Sequence, residues 1–101
     1  MAIAEVSIIP IGTDNPSVSK YVAKAINVLQ QKEAVNYELT SMGTIIEGDL
    51  KDILDVITKM HETPFILGAK RVVTNIKIDD RRDKIITSSG KIESVKQKLD
   101  M

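Results

Sequence analysis

A chain of 101 residues that is 43% hydrophobic and 28% charged has room for a single domain, residues 1–101, around one core. Its 14 Lys and Arg residues balance 14 Asp and Glu residues, which removes the positive excess that usually marks a nucleic-acid binder. The absence of cysteine excludes disulfides, thiolate metal sites and cysteine nucleophiles, and only Tyr21, Tyr37 and Phe65 offer aromatic faces to a planar ligand.

The opening run MAIAEVSIIPIG has no basic n-region, carries Glu5 and is too short to cross a bilayer, so it reads as a strand and makes a cytoplasmic location the expectation. From about Ile3 to Ile11, Ala4, Val6 and Ile8 alternate with Glu5, Ser7 and Ile9, and Pro10 and Gly12 are expected to end the strand. Asn15 is the expected N-cap of a first helix, with Pro16 at its first position and an apolar stripe of Val18, Tyr21, Val22, Ala25, Val28 and Leu29.

Two short runs follow, about Tyr37 to Met42 and Thr44 to Gly48, with Gly43 between them as the residue that tolerates a positive φ. Asp49 then caps a second helix with the stripe Leu50, Ile53, Leu54, Ile57 and Met60, expected to end at Thr63-Pro64. The run KRVVTNIKID reads as a fourth strand, with Val72, Thr74, Ile76 and Ile78 on one face. Beyond the charged run Asp79 to Lys84 lies a last helical stripe of Ile92, Val95 and Leu99.

Strand, helix, strand, strand, helix, strand is the α+β, ferredoxin-like βαββαβ order, here with an extra C-terminal helix. Right-handed crossovers give a four-stranded antiparallel sheet in the order 4-1-3-2, with both long helices on one face. The opposite face then carries Glu5, Ser7, Ile9, Glu38, Thr40, Met42, Ile45, Glu47, Arg71, Val73, Asn75 and Lys77. So mixed a face suits an oligomer interface that encloses a small polar ligand, although Glu5, Glu38 and Lys77 also fit a merely solvated surface. Ser7, Glu47, Arg71 and Asn75 are expected to meet near the sheet centre, where Arg71 is either the ion-pair partner of Glu47 or a ligand contact.

Other signals carry less chemistry. His61 stands alone, with no second histidine to complete a metal site, and no triad, P-loop or dinucleotide motif is visible. The run Asp79 to Lys84 reads as a solvated strand end or an ion-pair network between subunits. RNA recognition on this sheet would need aromatics on the central strands, and there are none.

The segments IPIG at Ile9 to Gly12, YELTSMGTIIEG at Tyr37 to Gly48, HE at His61-Glu62, and KRVVTNIKIDDRRDK followed by KIESVKQKL resemble the small thiamine-binding protein family over nearly the whole chain. The resemblance implies a ferredoxin-like homotetramer, a dimer of dimers, that binds thiamine or its hydroxymethylpyrimidine half without catalysis. It implies a site on the sheet surface near a subunit interface, with Met42, Thr44 and Glu47 of the Met-Gly-Thr-x-x-Glu pattern as ligand contacts, joined by Ser7 and Asn75. The chemistry is consistent: a carboxylate accepts from an exocyclic amine, Asn or hydroxyl groups donate to ring nitrogens, and Ile9, Ile45, Met42 or Val73 supply apolar contact to the ring faces. No cofactor, metal, membrane or nucleic acid is implied. Two other readings stay open: a small dimeric enzyme with Glu47 or His61 as general base, and a purely regulatory assembly domain.

Overall fold

The computed structural model describes residues 1–99, in the order β1 (Ala2–Ile11), α1 (Ser19–Gln30), β2 (Asn36–Leu39), β3 (Thr44–Gly48), α2 (Leu50–Ile66), β4 (Arg71–Asp80) and α3 (Ser88–Leu99). The four strands form one antiparallel sheet in the order β2-β3-β1-β4, the ferredoxin-like arrangement that alternation and crossover handedness require. On one face, Ala4 and Val6 of β1 and Ile46 of β3 pack with Ala25 and Leu29 of α1 and with Ile53, Val56, Ile57 and Met60 of α2. Val56 belongs to this core in place of Leu54, which is exposed on the flank of α2.

Both prolines expected to stop an element are instead carried through it. Pro10 lies inside β1 opposite Val72, and β3 pairs with β1 only as far as Val6, so beyond that point one edge of β1 has no neighbouring strand. A missing N–H on that edge interrupts no ladder. Pro64 lies in the last turn of α2, where the carbonyl of Met60 loses its usual donor. Thr63 Oγ1 donates to Met60 O at 2.7 Å and fills the gap, so the helix continues to Ile66. It closes with Gly68 at φ +100°, as Gly68 N–H donates to Phe65 O and Ala69 N–H to Pro64 O, both at 3.0 Å.

Two other local expectations change. α1 starts at Ser19, because Asn15 Oδ1 accepts from Ser17 N–H at 2.8 Å and closes a turn of its own rather than capping the helix. The β2–β3 connection does not use a positive φ at Gly43. Thr40 organises it: its N–H and Oγ1 both donate to Gly43 O, at 2.8 and 2.7 Å. Gly43 is required for proximity, since a Cβ there would stand 3.0 Å from the carbonyl oxygen of Val6.

The face away from α1 and α2 is not wholly open. Ile3 lies on it yet is only 9% exposed, and Ile86, just before α3, is also buried. α3 itself has no buried residue, and Ile92, Val95 and Leu99 are 52%, 58% and 76% exposed.

Candidate functional site

Register divides the expected site residues into separate places. Ser7 and Asn75 are direct cross-strand partners, and so are Ile9 and Val73, which puts these four together on the face away from α1 and α2. Glu47 pairs with Ile3 and Arg71 with Ile11, eight positions apart along β1, or roughly 27 Å at strand rise. Glu47 and Arg71 therefore form no ion pair, and the expected cluster of Ser7, Glu47, Arg71 and Asn75 does not assemble within one chain. Even spacing along a strand fixes a residue's face but not its distance from the sheet centre, and the two charges stand at opposite ends of β1.

Glu47 has a different partner. Its Oε1 accepts a hydrogen bond from Ser88 N–H at 2.5 Å, at the first residue of α3, where a carboxylate meets unpaired amides and the positive end of the helix dipole. A small recess beside this contact is lined by Asn36, Tyr37, Glu38, Ile45, Glu47, Ser88 and Ser89.

Thr44 is placed on the other side of the sheet. It pairs with Val6, is 5% exposed and faces the helices, so Thr44 and Glu47 of the Met-Gly-Thr-x-x-Glu pattern point to opposite faces. Thr44 lines a cavity of about 320 Å³ at the notch where β3 ends beside β1. Ser7, Ile9 and Met42 line it too, so four of the six expected contacts converge there, whereas Glu47 and Asn75 do not reach it. Val18, Tyr21, Val22 and Ala25 of the α1 region form the roof, and Thr40 stands in the turn. Tyr21 was legible only as part of a helical stripe, yet it is the aromatic ring nearest the notch, with Lys20 Nζ 5.1 Å from its centroid. Met42 is 84% exposed at the rim, free to adapt to an occupant. A broader depression of about 750 Å³ lies between Ile11–Lys20 and Leu67–Lys70 and, among the described residues, holds none of the six candidate contacts.

His61 is engaged within the fold: Nδ1 lies 2.7 Å from Thr74 Oγ1, and the ring meets Phe65 edge-on with centroids 5.7 Å apart. The charged run after β4 also pairs locally. Arg82 Nη2 binds Asp80 at 2.9 Å, Arg81 grips both oxygens of Asp83, and Lys91 reaches Asp79. Hydrogen bonding to Arg81 holds the Asp83 carboxyl down at about 2, and Arg82 likewise lowers Asp80. Among the described residues no group of three or more His, Asp or Glu side chains is gathered for a metal, and no helix is long and apolar enough to cross a membrane.

Fold and cavity together define a small ferredoxin-like domain with a half-open, mainly aliphatic notch of single-ring size. The thiamine-binding protein family matches residues 4–96, and the chain belongs to that family. The UPF0045 protein YqgV of Bacillus subtilis is 55% identical over 98% of both chains. A UPF0045 protein of Methanothermobacter thermautotrophicus is 43% identical over 98% of this chain and all of its own length. The crystal structure of protein MJ1052 from Methanocaldococcus jannaschii superposes with a TM-score of 0.85 at 43% identity, covering 95% of this chain and 96% of that one.

Proposed function

We propose that this protein is a non-catalytic cytoplasmic binding protein for thiamine or a related aminopyrimidine, and that the pyrimidine ring enters the notch between β1, α1 and the β2–β3 turn. The observation that carries the reading is the convergence of Ser7, Ile9, Met42 and Thr44 on that one cavity of about 320 Å³. Aliphatic walls with a few hydroxyls suit a flat, weakly polar ring, and membership of the thiamine-binding family supplies the ligand class. No carboxylate lines the notch, so a thiazolium cation would extend past Met42 toward solvent. Both candidate general bases, Glu47 and His61, are tied to other partners and lie outside it.

The reading includes a homotetramer, a dimer of dimers. Two unpartnered surfaces support it: the exposed stripe Ile92, Val95 and Leu99 of α3, and the face bearing Ile9 and Val73. α3 carries Lys91, Lys96 and Lys98 against one Glu93, while the β1, β3 and β2 part of that sheet face carries Glu5, Glu38 and Glu47, with Arg71 and Lys77 confined to β4, so a second copy can set α3 against the acidic part.

Thermal denaturation with 4-amino-5-hydroxymethyl-2-methylpyrimidine and with thiamine tests the binding. At ten times the Kd the midpoint should rise by roughly 5–10 °C. Thr44→Val and Met42→Ala should reduce the rise, and Glu47→Gln, outside the notch, should leave it in place. No shift with either compound at millimolar concentration would sink the proposal.

A further inference from the structure

The notch holds a polar pair that no side chain supplies. Thr40 N–H donates to Gly43 O at 2.8 Å, so the main-chain groups of Gly43 face β2, and strand alternation turns those of Thr44 and Ile46 toward β1. Their partners Val6 and Ala4 therefore direct their own N–H and C=O groups toward β3. Two residues further along, Ile8 presents its N–H and C=O on the same edge, beyond Thr44, where β3 has ended. Pro10 is next in that series, and a residue without an N–H is tolerated there because the edge is unpaired. Ile8 itself lines the cavity and is half-buried.

We infer that the Ile8 main chain reads the edge of the bound ring: its N–H donates to a ring nitrogen and its C=O accepts from the adjacent exocyclic amine of a 4-aminopyrimidine. The inference rests on the proposed occupancy of the notch and adds the specificity determinant. A donor and an acceptor on one residue match an amine beside a ring nitrogen, as a neighbouring strand would. A partly buried backbone pair needs such a partner. It also explains how a site without a carboxylate selects an amine. The free edge is short, and α1 and the Thr40–Gly43 turn enclose it, which favours a single ring over an added peptide strand.

Two measurements on the intact protein and one on variants test this. In titration calorimetry, 4-amino-5-hydroxymethyl-2-methylpyrimidine should bind at least about tenfold tighter than the same ring with hydrogen in place of the amine, because the second compound leaves the Ile8 carbonyl unpaired. In a ¹⁵N-resolved NMR titration the Ile8 amide proton should move downfield on saturation with the amino compound. Ile8→Pro, which removes the N–H from the unpaired edge, should weaken binding by a similar factor beyond Ile8→Val, which trims the same half-buried side chain but keeps the N–H, with the far-ultraviolet circular dichroism of both free proteins retained. Equal affinities for the two rings, or an Ile8 amide that does not respond at saturation, overturn the inference while the notch stands as the site. Binding of neither ring overturns both.

Discussion

Glu47 and Ser88 lie 41 residues apart in sequence and are joined by a 2.5 Å hydrogen bond from the Ser88 amide to the Glu47 carboxylate. This contact ties β3 to the first turn of α3, a helix with no buried residue of its own, alongside the Lys91–Asp79 ion pair to β4. Glu47→Ala should destabilise the start of α3 by about 1 kcal/mol, as loss of an N-terminal cap does. Amide hydrogen exchange across Ser88–Lys91 should quicken severalfold while exchange in β1 is unchanged. Equal protection in both proteins would mean that α3 is held by something else.

Thr63 and Pro64 act as a unit. The Thr63 hydroxyl serves the Met60 carbonyl that Pro64 cannot, and Thr63 is only 4% exposed, so water cannot readily replace it. Thr63→Val should therefore cost about 1–3 kcal/mol in urea denaturation, with Thr63→Ser well below that. A Val variant as stable as the parent would contradict this account of how α2 passes its proline.

The ion pairs beyond β4 should yield to acid only at low pH, because their arginines hold the carboxyls below the ordinary value. Asp83 is lowered from 3.8 to about 2 by its hydrogen bonds to Arg81, so its contribution to stability is complete above the unfolded value and is lost as pH falls from about 4 to about 2. The groups are solvent-exposed, so the effect on global stability is small and screened by salt. NMR titration of the Asp83 carboxyl should give a midpoint near 2 that moves toward 3.8 in 1 M salt or in Arg81→Gln. A midpoint already at the ordinary value in low salt would remove the pair.

The fold was legible because alternation and helical spacing are set locally: Ala4, Val6 and Ile46 could be assigned to the helix side from their spacing alone. Element ends were less so. Pro10 and Pro64 looked like stops, and only tertiary facts, the unpaired edge of β1 and the Thr63 hydroxyl, explain why they are not. The site was legible in its residues and not in its place. Ser7, Ile9 and Met42 are legible from their face and Thr44 from the Met-Gly-Thr-x-x-Glu pattern, but the cavity that joins them forms at a strand end, where Thr44 faces the helices. Glu47 and Arg71 were given the right face and the wrong neighbours, because a strand's register along its partner is not written in either strand alone. Ile8 could not be found from side-chain chemistry at all, since its contribution is its backbone.

The exposed stripe of α3 should matter to assembly and not to the fold. Val95→Asp replaces a side chain that is 58% exposed in the isolated chain, so circular dichroism should be unchanged. Light scattering after size exclusion should show a tetrameric parent and a smaller species for the variant. An unchanged mass would exclude α3 from the interface.

The location of the ligand tests the central claim most directly. In a ¹⁵N-resolved NMR titration with 4-amino-5-hydroxymethyl-2-methylpyrimidine, the largest shifts should fall on Ser7–Ile9, Tyr21 and Met42–Thr44, the residues that line the notch. Shifts centred instead on Glu47 and Ser88, or on Asn75 and Arg71, would place the ring elsewhere and contradict the account.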